Sequence, residues 1–179
     1  MLYWLLALFS LAVIAYFSRL PAAEQDLRPF IRQHPVLVRT AESLPHVSFS
    51  WGGRPVDNRL DNRRGPVNFV YFVARKVAHV VLYALLGLGV AGALGGRPAL
   101  RRVRWPAAAL VVLAVGFVDE RVQGTTPGRT ARGLDVLLDL GSFLAAAALY
   151  ALFSGPVRRW LARRGGVRCN SGEQRGKGE

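Results

Sequence analysis

Four apolar stretches alternate with strongly polar ones along the chain, a pattern that predicts helices crossing a membrane. Residues 2–17 (LYWLLALFSLAVIAYF) carry no charge and place Tyr3, Trp4, Tyr16 and Phe17 at the two ends, where aromatic belts sit. A cleavable signal peptide is the rival reading, but a basic start is missing and Pro21-Ala22-Ala23 is a weak cleavage site. Residues 69–94 make a second helix of about 39 Å, enough to span with tilt, ended by Gly95-Gly96-Arg97-Pro98. The third stretch, about 105–122, opens on Trp105-Pro106, with proline suited to a first helical turn, and is apolar to about Val118. Residues 134–153 form the fourth. The expected fold class is an all-α membrane protein, a single domain over 1–153 with four transmembrane helices.

The stretches between differ in kind. Over 19–66 the apolar residues Leu27, Phe30, Ile31, Leu37, Val38 and Leu44 keep a loose helical spacing interrupted by Pro29 and Pro35. Val47, Phe49 and Trp51 then alternate up to Gly52-Gly53, a hairpin signal. This section is too long for a bare connector and is read as a small extracytoplasmic cap on the membrane surface. Residues 124–133 (GTTPGRTARG) form a turn-rich loop. The basic tail, 154–179, is expected to be disordered and to meet anionic lipid headgroups.

Charge fixes an orientation. The net charge is +13, nearly all of its cationic excess arginine, and 51% of residues are hydrophobic. In a soluble chain that balance would point to nucleic acid, but here the arginines lie beside apolar segments, so no nucleic-acid partner is expected. The 97–104 loop holds four Arg and no acid, and with the tail it is assigned to the cytoplasmic face, together with both termini. The single Cys169 rules out an intramolecular disulfide and a multi-cysteine metal site.

The candidate chemistry is carried by four acids, Asp119, Glu120, Asp135 and Asp139, which are the only ones between Asp61 and Glu173. Each charge at mid-membrane costs roughly 2.5–3.5 kcal/mol on insertion scales, so a cluster of them needs compensation. Helical spacing puts Lys76, His79 and Tyr83 on one face, Asp119 and Gln123 on another, and Asp135, Asp139 and Ser142 on a third. All three sets fall at one depth in the outer half. His79 can act as a general base, a hydrogen-bond partner or a ligand, paired with Asp119 or Asp135 across a helix interface. No second His accompanies it in the spans, so neither a metal nor a cofactor is expected. Lys76 either pairs with Asp119 or Asp139 or, like Arg75, snorkels to the interface. One of Asp119 and Glu120 is expected to point inward, the other toward headgroups or Arg121. Arg129, after Pro127-Gly128, either recognises a carboxylate or phosphate or pairs with Asp135. Gly87, Gly89 and Gly92, with 145–148, are assigned to close helix packing.

The ordered set RKxxHxxxY (Arg75, Lys76, His79, Tyr83), DExxQ (Asp119, Glu120, Gln123), PGR (Pro127, Gly128, Arg129) and DxxxDxG (Asp135, Asp139, Gly141) resembles the VanZ-like membrane family over about 69–150. Many members of that family carry Asn where this chain has Asp139. The resemblance implies a small multi-span protein of the bacterial cytoplasmic membrane. Its namesake is associated with low-level teicoplanin resistance. The expected function is an outer-leaflet pocket of Lys76, His79, Tyr83, Asp119, Glu120, Gln123, Arg129, Asp135 and Asp139. It would bind or act on a cell-envelope amphiphile or glycopeptide. The alternatives are an enzyme using His79 and a carboxylate for acid–base chemistry on a lipid-linked wall precursor, and a proton- or cation-coupled transporter. A relay is the weakest of these, since 85–94, 107–115 and 143–151 hold no ionisable residue except Tyr150.

Overall fold

The computed structural model describes residues 1–59, 65–129 and 131–165. Helix α1 (Leu2–Arg19) is followed by two short helices, α2 (Arg28–Gln33) and α3 (Pro35–Ser43). Pro29 and Pro35 do not break one helix; each sits in the first turn of its own, where a missing N–H costs nothing. Strands β1 (Ser48–Trp51) and β2 (Arg54–Asp57) then pair antiparallel with Trp51 opposite Arg54. The connecting Gly52 and Gly53 have φ of 56° and 76°, the left-handed pair that a two-residue hairpin turn demands. Three longer helices follow among the described residues: α4 (Gly65–Gly95), α5 (Arg104–Thr125) and α6 (Gly133–Gly165).

Helix α4 is the centre of the bundle and packs on α1, α5 and α6, while α5 also meets α1 and α6. Its buried face is smooth because glycine occupies the crossing points. A Cβ on Gly89 would lie 2.9 Å from the Ala7 backbone nitrogen, and one on Gly87 would lie 2.1 Å from the Phe143 ring. Gly89→Ala therefore pushes α1 off α4. Overpacking of this kind costs about 1–3 kcal/mol, and the expected result is a lower Tm in detergent with no change in helix content. Leu86, Val90, Ala91, Val112 and Phe143 fill the core between these helices.

Large apolar side chains cover the outside of the bundle, among them Leu8, Phe9, Leu110, Phe117, Leu137 and Leu152. Contiguous apolar surface on this scale marks contact with a membrane or with another protein. Helix α1, α4 and residues Gly133–Ser154 of α6 are each long and apolar enough to cross a membrane. Helix α5 falls short of that measure among the described residues, because Arg104, Asp119, Glu120 and Arg121 fall within its 22 residues. The last helix also runs past 153, where the fourth stretch was expected to give way to a disordered tail, and continues to Gly165. Leu161 and the arginines at 158, 159, 163 and 164 are good helix formers. The rest of the tail, 166–179, lies outside the described residues.

Candidate functional site

Helices α4 and α6 run in the same direction from the hairpin end, so their polar faces meet as a ladder. Lys76 forms an ion pair with Asp135, and His79 Nδ1 lies 3.0 Å from Asp139 Oδ1 one turn deeper. Trp51 reaches down from the hairpin and donates its indole N–H to Asp135 Oδ1 at 2.7 Å. The Lys76 ammonium also stands 5.1 Å from the Trp51 ring centre and 5.5 Å from that of Phe72, so an aromatic wall shields the pair.

Helix α5 contributes the other two acids. Asp119 Oδ2 accepts the Tyr83 hydroxyl at 3.0 Å, and its Oδ1 accepts Gln123 Nε2 at 2.9 Å. Ser18, at the end of α1, also hydrogen-bonds Asp119 Oδ1. Its single hydroxyl proton is shared with the Ile14 carbonyl at 2.5 Å. Glu120 accepts the backbone N–H of Arg132, which ties the 124–133 loop to α5. His79 and Tyr83 stack with ring planes 12° apart, so the α4 stripe connects both acid pairs. All four carboxylates are buried. One ring nitrogen of His79 and one carboxylate oxygen each from Asp119 and Asp139 lie within 4.8 Å of one another.

A family model, VanZ/LLP1, matches residues 3–154, which takes in every one of these side chains. The chain belongs to the VanZ/LLP1 family. No curated protein and no solved structure gives a significant match.

Among the cavities at this end of the VanZ/LLP1 bundle, two share part of their lining. One, of about 320 Å³, has apolar walls from Ile14, Phe17, Leu27, Ala78 and Leu82, with His79 and Asp119 also on its lining. The other, of about 350 Å³, is lined by Arg54, Lys76, Arg132 and Asp135 beside the hairpin. Arg75 and Arg129 line both. Arg129 donates Nη1 to the Phe17 carbonyl at 2.8 Å, and Arg75 lies 5.8 Å from the Tyr71 ring centre. Among the described residues neither has a carboxylate partner. Burial, and then the charge of Arg75, hold the Arg129 guanidinium below its ordinary pKa.

The partners differ from the expected ones by about a helical turn. Lys76 takes Asp135 rather than Asp119 or Asp139, and His79 takes Asp139 rather than Asp119 or Asp135. Asp119 and Glu120 are both buried, because the 124–133 loop folds back over α5 and supplies Glu120 with a donor. Arg121 stacks over Phe117 at 4.8 Å instead of meeting an acid. Arg129 bonds α1 and not Asp135, since Gly128, with φ of 73°, turns its chain toward the first helix. Ser142 bonds its own helix at the Asp139 carbonyl, 2.7 Å away.

Ser18 and Trp51 belong to the site and were not singled out for it from sequence. Ser18 reads as a polar helix end, whereas an indole N–H in a short apolar hairpin needs a buried partner, and that was a usable signal. Trp51→Phe keeps an aromatic side chain, though a smaller one, and removes the donor to Asp135. A hydrogen bond to a charged group contributes about 1.5–3 kcal/mol, so a Tm several degrees lower is expected in detergent-solubilised protein.

Proposed function

We propose that this VanZ/LLP1 protein binds an anionic amphiphile of the bacterial cell envelope at the hairpin end of its bundle. The apolar cavity would receive a lipid chain and the arginine-lined cavity an anionic headgroup. The observation that carries this reading is the pair Arg75 and Arg129, two cations that border both cavities and have no carboxylate partner among the described residues. Arg is suited to bidentate recognition of phosphate or carboxylate. Each cavity is at the low end of ligand-site volumes, roughly 300–1,000 Å³, which suits a headgroup and a chain segment.

The reading includes four spans, with α5 crossing in spite of its polar end. Leu110, Leu113, Phe117 and Val118 are exposed on it as on the other three. Four crossings put the 97–104 arginines and both termini in the cytoplasm, and the site with its 19–66 cap in the outer leaflet. Altered susceptibility to glycopeptide or lipoglycopeptide antibiotics is the expected output.

The double variant Arg75→Gln/Arg129→Gln tests this. Losing two charge-assisted contacts weakens binding of a lipid-linked wall precursor by at least about tenfold. Any shift in teicoplanin susceptibility conferred by the wild type in a sensitive host should vanish with it. Undiminished precursor binding and protection by the double variant would remove the reading.

One observation favours a second reading, that of an enzyme. His79 faces the apolar cavity with Asp139 bonded to its Nδ1, the arrangement of a general base. His79→Gln separates the two, because an enzyme loses function and keeps its affinity for the precursor, while a binder loses both together.

A further inference from the structure

We infer that His79, Asp119 and Asp139 form a binding site for a divalent first-row transition-metal ion, such as Zn²⁺ or Mn²⁺. The inference is independent of any amphiphile and is tested without one.

Three observations converge. The donor atoms of the three residues lie within 4.8 Å of one another, and His79 Nδ1 and Asp139 Oδ1 are already 3.0 Å apart. Metal–ligand distances of about 2.0–2.2 Å in a tetrahedral shell place donors roughly 3.3 Å apart. Side-chain adjustments of about an ångström would therefore bring the three donors to ligand spacing. The second observation is an orphaned oxygen. Asp139 is 1% exposed, yet its Oδ2 has no hydrogen-bond partner. That oxygen points at α5 beside Gly116, one turn from Asp119, where a Cβ would come within 3.4 Å of it. A buried, unpartnered carboxylate oxygen is costly unless something cationic or protic faces it.

The third is charge. Asp119, Glu120, Asp135 and Asp139 are all buried, and among the described residues the cations bonded to them are Lys76 and His79. With all four carboxylates ionised, at most two cations would leave at least two negative charges. Arg129 is near Asp119 and Glu120 but bonds the Phe17 carbonyl. A divalent ion neutralises that surplus at the point where His79, Asp119 and Asp139 converge.

The surroundings suit a held metal. Tyr83, Gln123 and Ser18 donate to Asp119 and fix its orientation, as outer hydrogen bonds do for ligating carboxylates. One imidazole with two carboxylates favours Zn²⁺ or Mn²⁺ over Ca²⁺, which prefers six to eight oxygens. His79 and Asp119 line the 320 Å³ cavity, so the coordination that the protein leaves open faces it. A metal there would polarise a ligand oxygen or activate a water.

The test uses the full-length protein in detergent, stripped with chelator, reloaded with Zn²⁺ or Mn²⁺ and desalted. About one equivalent per chain should be retained. Asp139→Asn and Asp119→Asn should lose it, and Tyr83→Phe should weaken it about 10- to 100-fold. His46→Gln and Cys169→Ser, which remove exposed or tail donors, should retain it. Variants that fail to fold leave the wild type decisive, since its Mn²⁺ signal should show magnetic coupling to a single imidazole nitrogen. Three results would overturn the site: folded wild type that retains no metal, metal that leaves with His46 or Cys169 instead of Asp139, or Mn²⁺ without nitrogen coupling.

Discussion

Lys76→Met is expected to destabilise the folded bundle by about 3–5 kcal/mol, because it strands Asp135 as a buried charge. Exposure decides the magnitude. The two side chains are 17% and 6% exposed, whereas a solvated pair would contribute only about 0–1 kcal/mol. The Trp51 indole would still bond Asp135, so the loss is the cost of an uncompensated carboxylate and not of a missing contact. Neutralising that carboxylate should then restore most of the stability. The double variant Lys76→Met/Asp135→Asn keeps an acceptor for Trp51 and removes both charges, and replacing a buried pair by neutral groups is often nearly free. Denaturant unfolding in micelles, followed by far-UV circular dichroism, reads both changes. A double variant as unstable as the single would show that the ion pair itself, and not the stranded charge, holds the hairpin to the bundle.

The ladder that this prediction probes was half legible in the sequence. The i, i+3, i+7 stripe of Lys76, His79 and Tyr83 and the i, i+4 pair of Asp135 and Asp139 are properties of one helix each, and period alone reveals them. Which rung meets which is set by the axial offset between α4 and α6, and neither helix read by itself encodes an offset. The close contact of Gly87 with Phe143 fixes it instead. The hairpin was legible for a local reason, since Gly52-Gly53 supplies two left-handed residues between alternating apolar ones. The proximity of Trp51 to Asp135 was not, because it depends on how the cap lies on α4 over 84 residues of separation. The burial of Glu120 was hidden for a similar reason, as its donor is a backbone N–H in a loop twelve residues on. A turn-rich loop gives no sign of which of its amides will face inward.

Asp119→Ala should have an effect as large, about 3–5 kcal/mol, and of a different character. Asp119 bonds a residue from each of three helices: Ser18 of α1, Tyr83 of α4 and Gln123 of α5. Removing it leaves the Tyr83 hydroxyl and the Gln123 amide buried without an acceptor, and each such group costs about 1–3 kcal/mol. Tyr83 is 1% exposed and Gln123 is 3% exposed, so both donors are stranded unless water enters from the cavity that borders Asp119. Tyr83→Phe alone removes one donor together with its need, and about 1 kcal/mol is the expected loss. In the Tyr83→Phe/Asp119→Ala double variant the two losses should therefore add up to less than their sum. The location of the damage is a sharper test than its size. Helix α1 is held at this end by Ser18 and by the Arg129 bond to Phe17, while its other end rests on the glycine contacts of α4. Amide hydrogen exchange in Asp119→Ala should accelerate at 14–19 well before it does in α6, because α6 keeps its own bonds to Lys76 and His79. Unchanged protection at 14–19 would mean that Asp119 joins only α4 and α5, and that packing and the Arg129 and Thr126 bonds to Phe17 and Ser18 hold the first helix.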